Sequence, residues 1–159
     1  MIEREIWVRQ LFNFVQESNL IEGIHKVESW EVDASVALLD LGEVHVKDLQ
    51  TFVKACEKGA KLREKKGLDV RVGDHFPPPG GPSIRDKLAA LLHRANNSLS
   101  DPYEIHVDYE TLHPFTDCNG RSGRILWAWQ MLHGPENTFG LSLGFLHAFY
   151  YQTLSHSRR

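Results

Sequence analysis

Apolar residues recur three and four positions apart along most of this chain, which is the spacing of one face of a helix. The spacing predicts four helices in the first hundred residues, at residues 2–17, 28–41, 46–66 and 83–96. Between the last two, Val70 and Val72 alternate with polar or small residues, as in a short strand. A run of prolines and glycines from Pro77 to Pro82 then interrupts regular structure.

Three further helical segments are predicted in the remainder of the chain. One begins at Asp101, which can cap a helix that has Pro102 at its first position. Its inward-facing positions are Ile105, Tyr109 and Leu112. The pattern resumes after residue 120, where the apolar face is Ile125, Leu126, Trp129 and Leu132. The most apolar stretch, residues 139–151, is too short to span a bilayer and predicts a core helix.

Composition narrows the class of protein. A chain of 159 residues is long enough for one domain with its own core. A net charge of −3 and the absence of a polybasic footprint predict no nucleic-acid partner. The first residues lack the plan of a signal peptide, so we expect a cytoplasmic protein without a membrane partner. Cys56 and Cys118 are far apart in the chain and lack C-x-x-C spacing, which predicts no disulfide framework.

The residues best suited to catalysis or ligand binding lie between positions 113 and 124. His113 ends a predicted helix before Pro114, and a histidine held there is suited to act as a general base. Asp117 offers the hard oxygen atoms that Mg²⁺ prefers. His106 shares a helix face with His113, but no third ligand stands at a suitable spacing. We therefore predict a polar surface position for His106 rather than a metal site.

The following turn and helix have features of a phosphate site. Asn119 and Gly120 stand at a predicted helix N-terminus, where free N–H groups attract phosphate. Gly120 would let the backbone approach a ligand closely. Arg121 and Arg124 are three apart on one helix and can reach the same polyanion. Each residue alone has an ordinary explanation, as a buried histidine, a loop cap or a solvated arginine, and only their combination favours the functional interpretation.

Residues 113–124, HPFTDCNGRSGR, resemble the signature of the Fic family, His-x-Phe-x-(Asp/Glu)-Gly-Asn-Gly-Arg-x-x-Arg, with Cys118 where the family usually has glycine. The resemblance implies a mainly α, Fic-type helical bundle with one small β-hairpin flap. It also implies transfer of AMP from ATP to a Ser, Thr or Tyr hydroxyl of a target protein, which could be this chain itself. His113 would be the base and Asp117 would hold Mg²⁺. Cys118, Asn119 and Gly120 would hold the α- and β-phosphates, and Arg121 with Arg124 the β- and γ-phosphates.

Two other segments extend this resemblance. Residues 70–79 are similar to the family's flap, whose exposed edge docks target proteins; its central residues are Val72, Gly73, Asp74, His75 and Phe76. A surface loop joining two helices is the simpler alternative. Ser18, Glu22 and Gly23 match the family's inhibitory motif, (Ser/Thr)-x-x-x-Glu-(Gly/Asn). In relatives that carry it the glutamate pairs with the last signature arginine, here Arg124, and displaces the γ-phosphate of ATP.

The inhibitory motif divides the expected single domain, residues 1–159, into an N-terminal segment, 1–27, with an inhibitory helix, and a Fic core, 28–159. Gly23 as an ordinary helix C-cap is the alternative interpretation of this motif. Cys118 would cost about 1 kcal/mol if its position requires positive φ. A thiol beside a helix N-terminus favours the thiolate, but without a partner cysteine in view we expect it to be inert.

Four alternatives to AMP transfer stay open from the sequence. The chain could move another phosphate-containing group, such as phosphate or UMP, or remove AMP from a modified protein. It could be a catalytically silent binding module, disabled by Cys118 or Glu22. It could also be a toxin-type regulator inhibited by a partner, although Glu22 in the same chain argues against needing one. A homo-oligomer is compatible with the sequence.

Overall fold

Six helices make up most of the part of the chain that the computed structural model describes, which is residues 2–134 with Leu154 and Ser157. In chain order they are α1 (Ile2–Ile21), α2 (Ser29–Leu39), α3 (Val46–Cys56), α4 (Pro82–Asn96), α5 (Pro102–Leu112) and α6 (Asn119–His133). α6 packs against α5, α2, α1 and α3, so it is the central helix. The described residues contain no sheet; two isolated antiparallel bridges, Leu62–Phe115 and Val72–His75, are their only β pairing.

The predicted apolar faces of α5 and α6 form the centre of the core. Ile105, Tyr109 and Leu112 of α5 are buried, as are Ile125, Leu126 and Trp129 of α6. Trp129 also donates its indole N–H to the Leu41 carbonyl at 2.8 Å, which fixes α6 against the end of α2. In α1 Leu11 is buried, whereas its neighbour Phe12 is 43% exposed. These elements follow from helical periodicity alone.

The predicted helix over residues 46–66 is wrong beyond Cys56. α3 ends there, and Glu57 has extended backbone angles (φ −138°, ψ 102°). Residues 61–63 instead pair with the loop before α6: the Thr116 N–H donates to the Lys61 carbonyl and the Arg63 N–H to the Pro114 carbonyl, both at 2.9 Å. Tertiary pairing has overridden the helix-forming tendency of a lysine-rich segment. The run from Lys61 to Lys66 is therefore a loop and not a helix C-terminus.

The predicted β-hairpin flap is also not seen. Val72 and His75 exchange backbone hydrogen bonds of 3.0 and 2.8 Å around a tight turn, in which Gly73 has a φ of +56°. No ladder extends from this bridge within the described residues. Pro77, Pro78 and Pro79 follow directly and have no N–H group to donate, which explains why pairing stops after one step.

The core helix predicted over residues 139–151 lies outside the described residues. No helix in the described part of the chain is long and apolar enough to cross a membrane.

Candidate active site

His113 stands where α5 ends and the loop to α6 begins. Its backbone is left-handed (φ 51°, ψ 63°), and its N–H donates to the Tyr109 carbonyl at 2.8 Å. The Nδ1 atom lies 3.4 Å from the Glu110 carbonyl oxygen and 4.0 Å from the Glu110 carboxylate. The side chain keeps 16% of its surface exposed. The ring is therefore held from its Nδ1 side, in a sparsely populated backbone conformation of the kind that concentrates at functional sites.

Asn119 braces the loop that carries His113. Its side-chain oxygen accepts the Phe115 N–H and its amide nitrogen donates to the Phe115 carbonyl, both at 2.8 Å. The side chain is 3% exposed and is committed to these two bonds. A ligand at the start of α6 would therefore meet the backbone of Asn119 rather than its side-chain amide.

Arg63, which the sequence interpretation missed, anchors the same loop through hydrogen bonds to backbone carbonyls. Its guanidinium is fully buried and donates to four carbonyl groups at 2.7–3.0 Å: His113, Leu112, Leu68 and Pro78. Burial lowers the pKa of Arg63 from its ordinary value. Five donors in a rigid fork suit arginine to this task. One side chain thereby joins the end of α5 to the chain before and after the flap turn, at Leu68 and Pro78. Nothing in the local sequence of a lysine-rich stretch indicates this burial.

Cys118 caps α6 in the left-handed region (φ 65°) and is 4% exposed. A hydrogen bond with the Cys56 thiol, together with burial, raises the pKa of Cys118 far above its ordinary value. Both cysteines are free, and Cys56 lies near enough to Cys118 to contribute to this shift, a proximity that the sequence did not indicate. This environment favours the neutral thiol over the thiolate expected at a helix N-terminus, because burial disfavours the charged form.

Asp117 is exposed at the mouth of the loop. One of its oxygens accepts the Cys118 N–H at 2.6 Å. Within the described residues, its second oxygen has no hydrogen-bond or ion-pair partner. No three His, Cys, Asp or Glu side chains of the described residues cluster as a metal site. A single carboxylate with an available oxygen fits Mg²⁺, which commonly takes one or two protein carboxylates and completes its shell with water and phosphate oxygens.

The two signature arginines have different partners. Arg121 donates to the Glu57 carboxylate at 2.9 Å and is 7% exposed. Arg124, which is 4% exposed, donates to the Ser18 hydroxyl at 2.8 Å, the Ser18 carbonyl at 3.0 Å and the Glu22 carboxylate at 2.7 Å. The Glu22–Arg124 pair implied by the motif is thus present in the structure. The carboxylate occupies the space beside Gly120, where an added Cβ would collide with Glu22 Oε1.

Gly23 closes α1 directly after this pair. It has a φ of +74°, and the N–H of the next residue, Ile24, donates to the Asn19 carbonyl at 2.9 Å. This is a helix C-cap that a glycine accommodates without strain. The C-cap interpretation and the inhibitory motif are therefore compatible, since the cap turns the chain immediately after Glu22.

A pocket of about 390 Å³ brings most of these groups together. Of the residues predicted for the site, those that line it are His113, Asp117, Cys118, Asn119, Gly120, Arg121, Glu22 and Val72. Arg124 and Ser18 lie behind Glu22 and are not part of the lining. The volume falls in the range of small-molecule sites, about 300–1,000 Å³.

Of the flap segment, Val70, Arg71 and Val72 line this pocket, whereas the other predicted docking residues, Gly73, Asp74, His75 and Phe76, do not. The His75 ring is 2.8 Å from the Thr111 carbonyl and ties the turn to α5. Phe76 is 69% exposed, with the Arg71 guanidinium 4.8 Å from its ring centroid. Gly73 and Asp74 form the exposed tip of the turn. An exposed aromatic ring beside a pocket is available to a partner.

Two buried polar residues of α5, His106 and Glu110, contact the site. His106 is 4% exposed, and its Nδ1 is 3.1 Å from the Gly123 carbonyl, so the predicted surface position is wrong. Glu110 is 3% exposed, lines the pocket beside His113 and packs against Gly123, where a Cβ would meet its carboxylate. The sequence interpretation did not name Glu110. A carboxylate three residues before a histidine on one helix was the signal available.

Comparison with known proteins places the chain in a family. The model of the Fic/DOC family matches residues 38–131. The structure is similar to that of a Fic family protein from Desulfovibrio desulfuricans G20, with a TM-score of 0.68 and 20% sequence identity over 94% of this chain. The chain spans 57% of the length of that protein's chain. No curated protein matches the sequence. At 20% identity, the structural likeness concerns the fold.

Proposed function

Because this chain belongs to the Fic/DOC family, we propose that it is a protein adenylyltransferase, which moves AMP from ATP to a Ser, Thr or Tyr hydroxyl of a target protein. The observation that carries the proposal is the convergence of His113, Asp117 and the N-terminus of α6 on one pocket. These supply a base, a metal-type carboxylate and an anion-binding helix end, which are the parts that phosphoryl-type transfer uses.

His113 acts as the general base in this proposal. It removes the proton of the target hydroxyl, whose oxygen attacks the α-phosphorus of ATP. The bond from the α-phosphorus to the bridging oxygen breaks, and pyrophosphate leaves. The Glu110 carbonyl and carboxylate lie beside the imidazole Nδ1, and Nε2 is the atom proposed to take the hydroxyl proton. Because Arg63 and Asn119 fix the loop on both sides, the base is positioned before the substrate binds.

The N-terminus of α6 is the proposed phosphate site. The first N–H groups of a helix have no intrahelical acceptor, and their partial positive charge favours anions. Gly120 presents the backbone without a side chain on this turn. Asp117 would hold Mg²⁺ at the pocket mouth, and the ion would neutralise charge on the phosphate oxygens. Arg121, which lines the pocket, would contribute positive charge to the β-phosphate.

Glu22 is the proposed internal inhibitor. Its carboxylate holds Arg124 and fills the space beside Gly120, where the γ-phosphate of ATP would sit if Arg124 bound it. Two negative groups cannot share this guanidinium at low cost, so ATP would bind in an unproductive position. The inhibition is reversible in principle, because Glu22 keeps 29% of its side chain exposed and α1 ends one residue before it.

Replacing Glu22 by glycine is expected to raise self-modification by roughly 10- to 100-fold, because a charge-assisted hydrogen bond stabilises by about 1.5–3 kcal/mol and each 1.4 kcal/mol is tenfold. Label from ATP on the protein, followed over time, measures the change. Glu22→Gln is the matched control: it keeps the size of the side chain but not its charge and should give an intermediate rate. Equal rates for parent, Gln and Gly variants would remove the inhibitory assignment.

Replacing Cys118 by glycine should leave the rate equal to that of the parent or up to about tenfold higher, since glycine adopts φ 65° without the strain of about 1 kcal/mol. Steady-state transfer in the Glu22→Gly background measures this. Cys56→Ser, which changes the other thiol, is the control. A large loss of activity in Cys118→Gly alone would show that the thiol has a role in the reaction.

Intact-mass spectrometry tests the group that is moved. The Glu22→Gly variant is incubated separately with ATP, UTP and GTP in the presence of Mg²⁺, and the added mass is compared with AMP, UMP, GMP and a single phosphate. Addition of AMP supports the proposal. Addition of phosphate or UMP would replace it by another transfer reaction of the same fold. Loss of AMP from a pre-modified substrate would indicate the reverse activity, and no change in any sample would favour a silent binding module.

A further inference from the structure

Five exposed lysines line one groove on the surface, although the chain as a whole carries a net charge of −3. They are Lys54, in the last turn of α3, and Lys58, Lys61, Lys65 and Lys66, between α3 and the flap. The cavity they surround has a volume of about 590 Å³. Here we call this surface the lysine groove. Five of the eight lysines in the sequence are thus gathered on one face.

The carboxylates nearest in sequence do not neutralise these lysines. Glu57 is held by Arg121 of α6 at 2.9 Å, and Glu64 is held by Arg85 of α4 at 2.8 Å. None of the five lysines forms an ion pair within the described part of the chain. Glu57 and Glu64 are therefore each paired with an arginine of another helix, and the groove keeps its positive charge. Like charges at this density repel one another and attract an anionic partner.

The groove adjoins the candidate active site. Its floor includes Leu62 and Phe115, which pair in the antiparallel bridge. Thr116, the next residue, lines the pocket of His113. The lysine groove and the active-site pocket therefore lie on either side of one short loop. An extended chain covers about 3.3 Å per residue, so residues a few positions from a hydroxyl at His113 would reach the lysines.

We propose that the lysine groove binds an Asp- and Glu-rich segment of the protein whose hydroxyl this chain modifies. Flexible ammonium groups on long stems match a row of carboxylates without fixed geometry. A nucleic acid fits less well, because the one aromatic residue of the groove, Phe115, is fully buried and offers no face for bases to stack on. The identification of the partner as a modification target rests on the proposed function, whereas the binding itself does not.

Fluorescence anisotropy without nucleotide tests the binding. The probes are a labelled peptide of alternating glutamate and serine, the same peptide with glutamine for glutamate, and a labelled single-stranded oligonucleotide of equal charge. Lys58→Glu with Lys65→Glu reverses two groove charges. Lys47→Glu with Lys87→Glu makes the same change in net charge at exposed positions outside the groove. A melting curve for each variant checks the fold.

The acidic peptide is expected to bind the parent and the control variant equally, and the groove variant at least about tenfold more weakly, since each exposed ion pair contributes up to a few-fold in affinity. Salt at 0.5 M should weaken the binding because exposed charges are screened. Equal weakening in both variants, equal binding of the glutamine peptide, no binding to the parent, or tighter groove-dependent binding of the oligonucleotide would each overturn the proposal. Groove-dependent peptide binding in a protein that transfers no AMP would overturn the proposed function and leave the groove assignment standing.

Discussion

Replacing His113 by alanine is expected to lower the transfer rate by about 10²- to 10⁴-fold, which is the usual contribution of a positioned general base. The ring is held at Nδ1 beside Glu110 while 16% of its surface faces the pocket, so its loss removes the proton acceptor without opening the core. The measurement is the initial rate of AMP transfer in the Glu22→Gly background, where activity is expected to be highest.

His113→Asn is the control for the backbone. Asparagine tolerates the left-handed conformation at φ 51° better than alanine, so this variant removes the base while relieving any strain that the substitution adds. Both variants should lose activity equally, and both should melt near the parent temperature. Activity retained in either variant, with the fold intact, would contradict the assignment of His113 as the base.

Arg63→Ala is expected to reduce the free energy of unfolding by about 3–5 kcal/mol, the cost of breaking a buried, fully hydrogen-bonded charged group. The substitution removes the donor of four carbonyl groups, two at the end of α5 and two, of Leu68 and Pro78, on either side of the flap turn. Those carbonyls are then left without their partner beside His113, the proposed base. Urea denaturation measures the loss.

Two variants separate this effect from a simple loss of charge. Arg63→Lys keeps the charge but not the fork, so an intermediate destabilisation is expected. Arg85→Ala removes an arginine whose side chain is 46% exposed and which, in the described part of the chain, is paired with Glu64; it should cost less than about 1 kcal/mol. If Arg63→Ala were no more destabilising than Arg85→Ala, the buried hydrogen bonds would not hold the loop as described.

The features that sequence predicted well are those encoded locally. Helical spacing placed Ile105, Tyr109 and Leu112 on the buried face of α5, and Asp101 caps that helix through bonds to the Tyr103 and Glu104 N–H groups. The Glu22–Arg124 pair spans about a hundred residues, yet a resemblance in two short motifs implied it. Its presence in the structure does not by itself test inhibition, which stays a prediction.

The features that sequence did not predict depend on contacts between distant segments. In the sequence, Arg63 is one more cation in a basic run. Only the fold shows that its guanidinium donates to four carbonyl groups. Cys56 and Cys118 come together because α3 ends against the first turn of α6, where Glu57 also meets Arg121. The alternating valines of the flap predict a hairpin, but the prolines after Phe76 limit its pairing to one bridge. In each case a tertiary partner, absent from the local pattern, decided the outcome.

The most direct test of the central claim compares ATP labelled at the α-phosphate with ATP labelled at the γ-phosphate. Each is incubated with the parent, the Glu22→Gly variant and the Glu22→Gly/His113→Ala double variant in the presence of Mg²⁺. The account predicts protein-bound label from the α-position, strongest in Glu22→Gly and lost in the double variant, with none from the γ-position. Label from the γ-position, or no label in a correctly folded Glu22→Gly variant, would contradict it.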